Sequence, residues 1–137
     1  MPVDGVRNPV ACFYIKDKDD CRRSYGCEWT YRGGGHCRPD YALGPIKSLE
    51  DARRTIDRVV FVINNVPSDM LWRAWKEATY LVNALPRSSS WDRVPPEARH
   101  YIMWEGKERV YDAYLRRAEK EGIKTRIARV PAVARRV

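Results

Sequence analysis

The sequence predicts a mainly α protein: a small bundle of about three helices, with an irregular cysteine-rich N-terminal region and an extended basic C-terminal tail. Three observations carry that expectation. Apolar residues recur at helical spacing through residues 48–121. All four cysteines and six of the eight glycines fall within residues 1–47. The last sixteen residues, "GIKTRIARVPAVARRV", hold five basic side chains and no acidic one. At 137 residues the chain has room for one core but not for two ordinary domains.

The N-terminal region, 1–47, reads as loop-rich, with "ACFYI" as its one plausible strand. Its cysteines follow C-x8-C-x5-C-x9-C through Cys12, Cys21, Cys27 and Cys37. Structural zinc sites usually present paired thiolates from a short knuckle of two to four residues, and no such pair exists here. His36 and Cys37, being adjacent, point to opposite faces of an extended chain. Two disulfides are therefore expected over zinc or free thiols. Four cysteines allow three connectivities, and the sequence leaves all three open. "RGGGH" reads as a tight hairpin or a close-approach turn, with Arg22, Arg23 and Arg32 facing outward. Asp17, Asp19 and Asp20 in "KDKDD" lack the Gly and distal Glu of a calcium loop, so a solvated turn is expected.

The helical core, 48–121, starts with a capping signal: Ser48 is followed three residues later by Asp51. Leu49, Ala52, Ile56, Val59, Val60 and Ile63 give the first helix its apolar stripe, and "NNVP" ends it. A second helix is expected from Ser68, after Pro67, with Leu71, Trp75, Ala78, Val82 and Leu85 on one stripe and Trp72 and Leu81 beside it; Pro86 stops it. The pair Pro95–Pro96 suits the first turn of a third helix over roughly 97–121. Ala98, Ile102, Val110, Ala113, Tyr114 and Ala118 form its apolar face, Gly106 is a candidate kink or close-packing point, and Gly122 fits the position just past its end.

The formal charge of +8 is unevenly spread. Residues 1–47 carry +2, residues 48–121 carry +1, and the tail, 122–137, carries +5. A balance this basic, with 19 Arg against 7 Lys, points to an anionic partner, nucleic acid before membrane. The candidate phosphate contacts are Arg54 and Arg58, expected opposite the apolar stripe of the first helix, and Arg73 and Lys76, near Tyr80 on the second. Arg116 and Arg117 are expected on the outer face of the third, with Arg109. In the tail they are Lys124, Arg126, Arg129, Arg135 and Arg136, interleaved with Ile123, Ile127, Val130, Val133 and Val137. Trp72 and Trp75, at helical spacing, are expected in the core or at a subunit interface rather than as stacking platforms for bases.

Nothing in the sequence announces catalysis. Its two histidines, His36 and His100, lie in no nucleophile, metalloprotease or phosphate-loop motif. The chain is expected to be no enzyme and to need no cofactor, resident metal or small-molecule substrate. The first ten residues lack a long apolar stretch, so no export signal is expected, and no apolar run is long enough to span a bilayer.

Glutamine is absent and asparagine occurs four times, a loss of thermolabile amides expected of hyperthermophile proteins. In size, basicity, helix content and this composition, the helical 90 residues resemble the capsid proteins of filamentous viruses of hyperthermophilic archaea. The resemblance does not extend to the cysteine-rich N-terminus. It implies a small helical subunit that dimerises with itself or a similar subunit, wraps linear double-stranded DNA without sequence preference, holds it in A form, and resides in the virion. Intracellular proteins of hyperthermophiles and virion surfaces are also settings that tolerate disulfides. Two other classes fit the same residues: an archaeal ribosome-associated, rRNA-binding protein of the cytoplasm, and a disulfide-stapled protein–protein interaction module.

Overall fold

A computed structural model describes residues 2–31 and 34–123. The chain divides into two compact units, Met1–Gly44 and Pro45–Val137.

In the first unit a 3-10 turn spans Pro9–Tyr14, followed by helix α1 (Lys18–Arg23) and a hairpin of strands β1 (Cys27–Thr30) and β2 (His36–Pro39). The "ACFYI" segment is thus a 3-10 turn rather than the expected strand. Pro9 supplies the φ that starts a helical turn, and Val10, Cys12, Phe13 and Ile15 all become buried, so the run lacks the alternation of a half-exposed strand. "KDKDD" is not a loose turn either: the Asp17 carboxylate accepts the Asp20 amide at 2.9 Å and caps α1.

The hairpin falls where the glycine run predicts it. β1 and β2 are antiparallel, with Trp29 opposite Cys37 and Thr30 opposite His36. Gly34 and Gly35 take φ of +95° and +92°, which L side chains rarely adopt. Gly35 also lies against Trp29, where a Cβ would come within 3.2 Å of the indole. Arg32 lies outside the described residues.

All four cysteines are paired. Cys12–Cys27 ties the 3-10 turn to β1, and Cys21–Cys37 ties α1 to β2, with Cα separations of 5.6 and 5.8 Å. The two covalent loops overlap along the chain. Their sulfurs occupy the centre of the unit, where Cys12, Cys21, Cys37 and Ile15 are buried with Val3 and Trp29 packed against them. Gly5 leaves room for this: a Cβ there would sit 2.6 and 2.7 Å from the Cys27 and Cys12 sulfurs.

The second unit is the helical bundle. Helix α2 runs Leu49–Asn65, α3 runs Leu71–Ala84 after a 3-10 turn at Ser68–Met70, and α4 runs Pro96–Tyr101. A single π-helical turn, Ile102–Gly106, joins α4 to α5 (Lys107–Lys120). Ser48 caps α2 by accepting the Asp51 amide at 3.1 Å, while Asp51 accepts the Lys47 amide at 2.9 Å, a reciprocal cap of the predicted kind. At the other end of the bundle Gly122, φ +71°, closes α5. Its amide donates to Glu119 O and that of Ile123 to Ala118 O, completing a Schellman motif.

Ala52, Ile56, Val59, Val62 and Ile63 of α2 pack with Ala98, Ile102, Val110 and Ala118, all nearly inaccessible to solvent. The long third helix is interrupted because Gly106 meets α2. A Cβ there would lie 3.0 Å from Ile56 Cγ1 and 3.2 Å from Tyr101 O. The extra residue of the π turn re-phases the helix so that Ile102, Gly106 and Val110 all face inward while Met103, Trp104 and Glu105 face solvent.

Candidate nucleic-acid interface

On the outer side of helix α3 cations gather, the helix's own acid, Glu77, being buried. Leu71, Ala74, Trp75, Ala78 and Val82 turn one side of it into the core. With 3.6 residues per turn, the opposite side must then carry Trp72, Arg73, Lys76, Tyr80 and Asn83, and all five are exposed. Trp72, Lys76 and Tyr80 are successive i, i+4 neighbours along one ridge, with Arg73 beside it. Trp72 is 64% exposed and Tyr80 43%. Arg87, exposed in the 3-10 turn Leu85–Arg87 that ends the helix, extends the ridge. Among the described residues, Arg73, Lys76 and Arg87 make no hydrogen bond or ion pair. Asp69, in the turn preceding α3, is the acid at the other end.

The two tryptophans of α3 divide between core and surface. Trp75 is buried, stacked on Tyr114 with centroids 4.1 Å apart and edge-on to Tyr111 at 5.1 Å. Trp72, three residues earlier, is on the solvent side. Tyr111 links the helices at this point: it accepts Asn83 Nδ2 at 3.2 Å, and the Lys107 ammonium lies 5.7 Å from its ring centre. Arg87 and Lys107 were not among the predicted contacts. Continuing the α3 phase beyond Pro86 would have found Arg87, but nothing local marks Lys107.

The other predicted contacts lie elsewhere. Arg54 is exposed but pairs with Asp51 at 2.5 Å, and Arg116 is exposed but pairs with Asp112 at 2.9 Å. Such exposed pairs are weak and exchange readily for another anion. Arg58 does not lie opposite the apolar stripe; it is buried, 8% exposed. Arg117 is likewise turned inward rather than outward. Its guanidinium donates to Ile63 O at 2.8 Å and Val66 O at 2.5 Å, the unsatisfied carbonyls at the end of α2. It also pairs with Glu121 at 2.9 Å, and Glu121 accepts the Ser68 hydroxyl at 2.7 Å. The hydrogen bonds from Ser68 and then from Arg117 hold the Glu121 carboxyl below its ordinary range. Arg117 thereby fastens α5 to the α2–α3 corner. Lys124, Arg126, Arg129, Arg135 and Arg136 lie outside the described residues.

Among the described residues, no group of three or more His, Cys, Asp or Glu is placed to hold a metal ion, and no helix is long and apolar enough to cross a membrane. Comparison with protein-family models, with curated proteins and with solved structures finds no match to the chain.

Proposed function

We propose that this chain is a structural nucleic-acid-binding protein, a subunit that dimerises and coats linear double-stranded DNA without sequence specificity, as in a filamentous virion. The observation that carries the reading is the outer face of α3. Arg73 and Lys76 stand there, with Arg87 in the turn that follows, and among the described residues none of the three has a carboxylate partner; two exposed aromatic rings lie beside Arg73 and Lys76. Arginine and lysine so placed neutralise backbone phosphates, a contact that positions a protein on the duplex and reads no sequence. Trp72 and Tyr80 supply apolar contact beside the phosphates, to sugars of the strand or to a neighbouring subunit of the coat. Arg54 and Arg116 exchange their carboxylates for phosphate, and the tail, with five cations and no acid, adds charge. The buried Arg58 and the inward-facing Arg117 hold the bundle together and take no part.

The test is purification from the native source followed by binding to unrelated duplex sequences. The reading predicts a regular assembly carrying DNA, and equal affinity for the unrelated duplexes. Preference for ribosomal RNA moves the assignment to an rRNA-binding protein.

A second reading rests on the first unit. Tyr14 and Tyr25 are 57% and 76% exposed on a covalently braced scaffold, and tyrosine is enriched where proteins meet. An interaction module of this kind shows no affinity for DNA or RNA at about 0.1 M salt, where counterion release still drives binding of a basic protein.

A further inference from the structure

A second cationic cluster lies in the cysteine-braced unit, where none was expected. Lys18 and Arg22 are i, i+4 neighbours on α1 and so share one face of it. Both reach toward Tyr31, the first residue after β1. Arg22 Nη2 donates to the phenol oxygen at 3.3 Å, and Lys18 Nζ stands 4.9 Å from the ring centre. The Cys21–Cys37 disulfide, between these two cations in sequence, fastens α1 to the hairpin and so sets the meeting.

Neither cation has a carboxylate partner among the described residues. Of the neighbouring acids, Asp17 caps the helix and Asp20 pairs with Arg23, while Asp19 bonds to neither cation. Two like charges are thus held around one phenol, and the phenol hydrogen has no acceptor among the described residues. Tyr31 is 66% exposed, so the cluster opens to solvent. A guanidinium, an ammonium and a hydroxyl converge there, and among the described residues the phenol oxygen is the one acceptor the two cations share. A tetrahedral oxyanion supplies several acceptors at once and neutralises the pair. The hydrogen bond from Lys18, with the positive field of Lys18 and Arg22, also lowers the phenol's pKa below its ordinary value.

We propose that Lys18, Arg22 and Tyr31 form a phosphate-binding cradle on the first unit, occupied by a backbone phosphate of the bound nucleic acid. The assignment of the phosphate to a nucleic acid rests on the function proposed above; the cradle's affinity for phosphate does not.

Two measurements on the full chain with both disulfides intact separate these. In the first, inorganic phosphate is titrated while the Tyr31 ring resonances are followed. The cradle predicts a saturable shift that is lost in Lys18→Met/Arg22→Met and weakened in Tyr31→Phe, followed there on the Phe ring. Methionine keeps the helix propensity of α1 and much of the side-chain length, so loss of folding does not imitate the result. No saturable shift in the parent protein overturns the cradle. In the second, the salt dependence of duplex DNA binding is compared between the parent and Lys18→Met/Arg22→Met. The log–log slope falls by up to about 1.8 units if both cations meet phosphate. An unchanged slope together with saturation by inorganic phosphate overturns the nucleic-acid assignment. Absence of any DNA binding, with phosphate saturation intact, removes the proposed function and leaves the phosphate site.

Discussion

In Met1–Gly44 the side chains most withdrawn from solvent are Cys12, Cys21, Cys37 and Pro39. In Pro45–Val137 they are Ile56, Ile63, Ile102, Val59, Val62, Val66 and Val110. The first unit is too short to bury enough apolar surface for stability, and two overlapping disulfides constrain its unfolded chain instead. The second depends on interdigitated aliphatic side chains between helices. The same contrast governs the cations. On α1 a covalent cross-link fixes where Lys18 and Arg22 point, whereas on α3 the core phase of Leu71, Trp75 and Val82 determines that Arg73 and Lys76 face out. One surface depends on redox state, and the other on packing.

The strongest way to break the comparison is reduction. Each disulfide closes a loop of 15 or 16 residues, worth about 3 kcal/mol by the chain-entropy estimate. Excess reductant is therefore expected to unfold the first unit while the helical signal of α2, α3 and α5 persists in far-UV circular dichroism. Simultaneous loss of both would show that the units do not differ as described. Ile56→Ala reverses the roles. Removing a fully buried side chain at the α2–π-turn contact costs about 2–5 kcal/mol and lowers the denaturant midpoint of the helical unit, leaving the oxidised hairpin's amide protection unchanged.

Arg117→Ala should cost about 2–3 kcal/mol, because the carbonyls of Ile63 and Val66 and the Glu121 carboxylate lose a charged donor. The measurement is again the helical unit's unfolding midpoint, with Arg116→Ala as the exposed comparison, expected to move it by under about 1 kcal/mol.

The smallest effect concerns acid. The Lys47 amide, then the charge of Arg54, lower the Asp51 carboxyl from its ordinary 3.8, and Ser68 and Arg117 lower that of Glu121 from 4.5. A folded-state value below the unfolded one gives stability that is fully present above the ordinary value and is lost as pH falls through the folded one. The helical unit is expected to hold its midpoint above about pH 5 and weaken below about pH 4. In Glu121→Gln the acid-side loss becomes shallower.

Features written into neighbouring residues were legible in the sequence. Ser48 with Asp51, Pro96 and Gly122 marked helix boundaries through bonds made within one turn, and the glycine run marked the hairpin. Features decided by distant partners were not. Arg58 and Arg117 look like their exposed neighbours Arg54 and Arg116 until the carbonyl ends of α2 and the approach of α5 are known. The three disulfide connectivities were equal on paper because nothing local says that α1 lies against β2. "ACFYI" is apolar throughout, and the signal for a turn, Pro9, lies just outside it, while the burial of Val10, Cys12, Phe13 and Ile15 shows only in the fold. The α3 face is half legible: the spacing groups Arg73, Lys76 and Tyr80, whereas of the two places expected for Trp72, core or subunit interface, its exposure removes the core, since periodicity alone does not place a residue at the stripe's edge.

The central claim, that the α3 face meets phosphate, is tested most directly by the salt dependence of duplex DNA binding for the parent and for Arg73→Met/Lys76→Met. Both cations are exposed and unpaired among the described residues, so their replacement leaves the fold intact. The account predicts a log–log slope smaller by about 1.8 units, with affinity falling evenly across unrelated sequences. An unchanged slope with DNA still bound would contradict it.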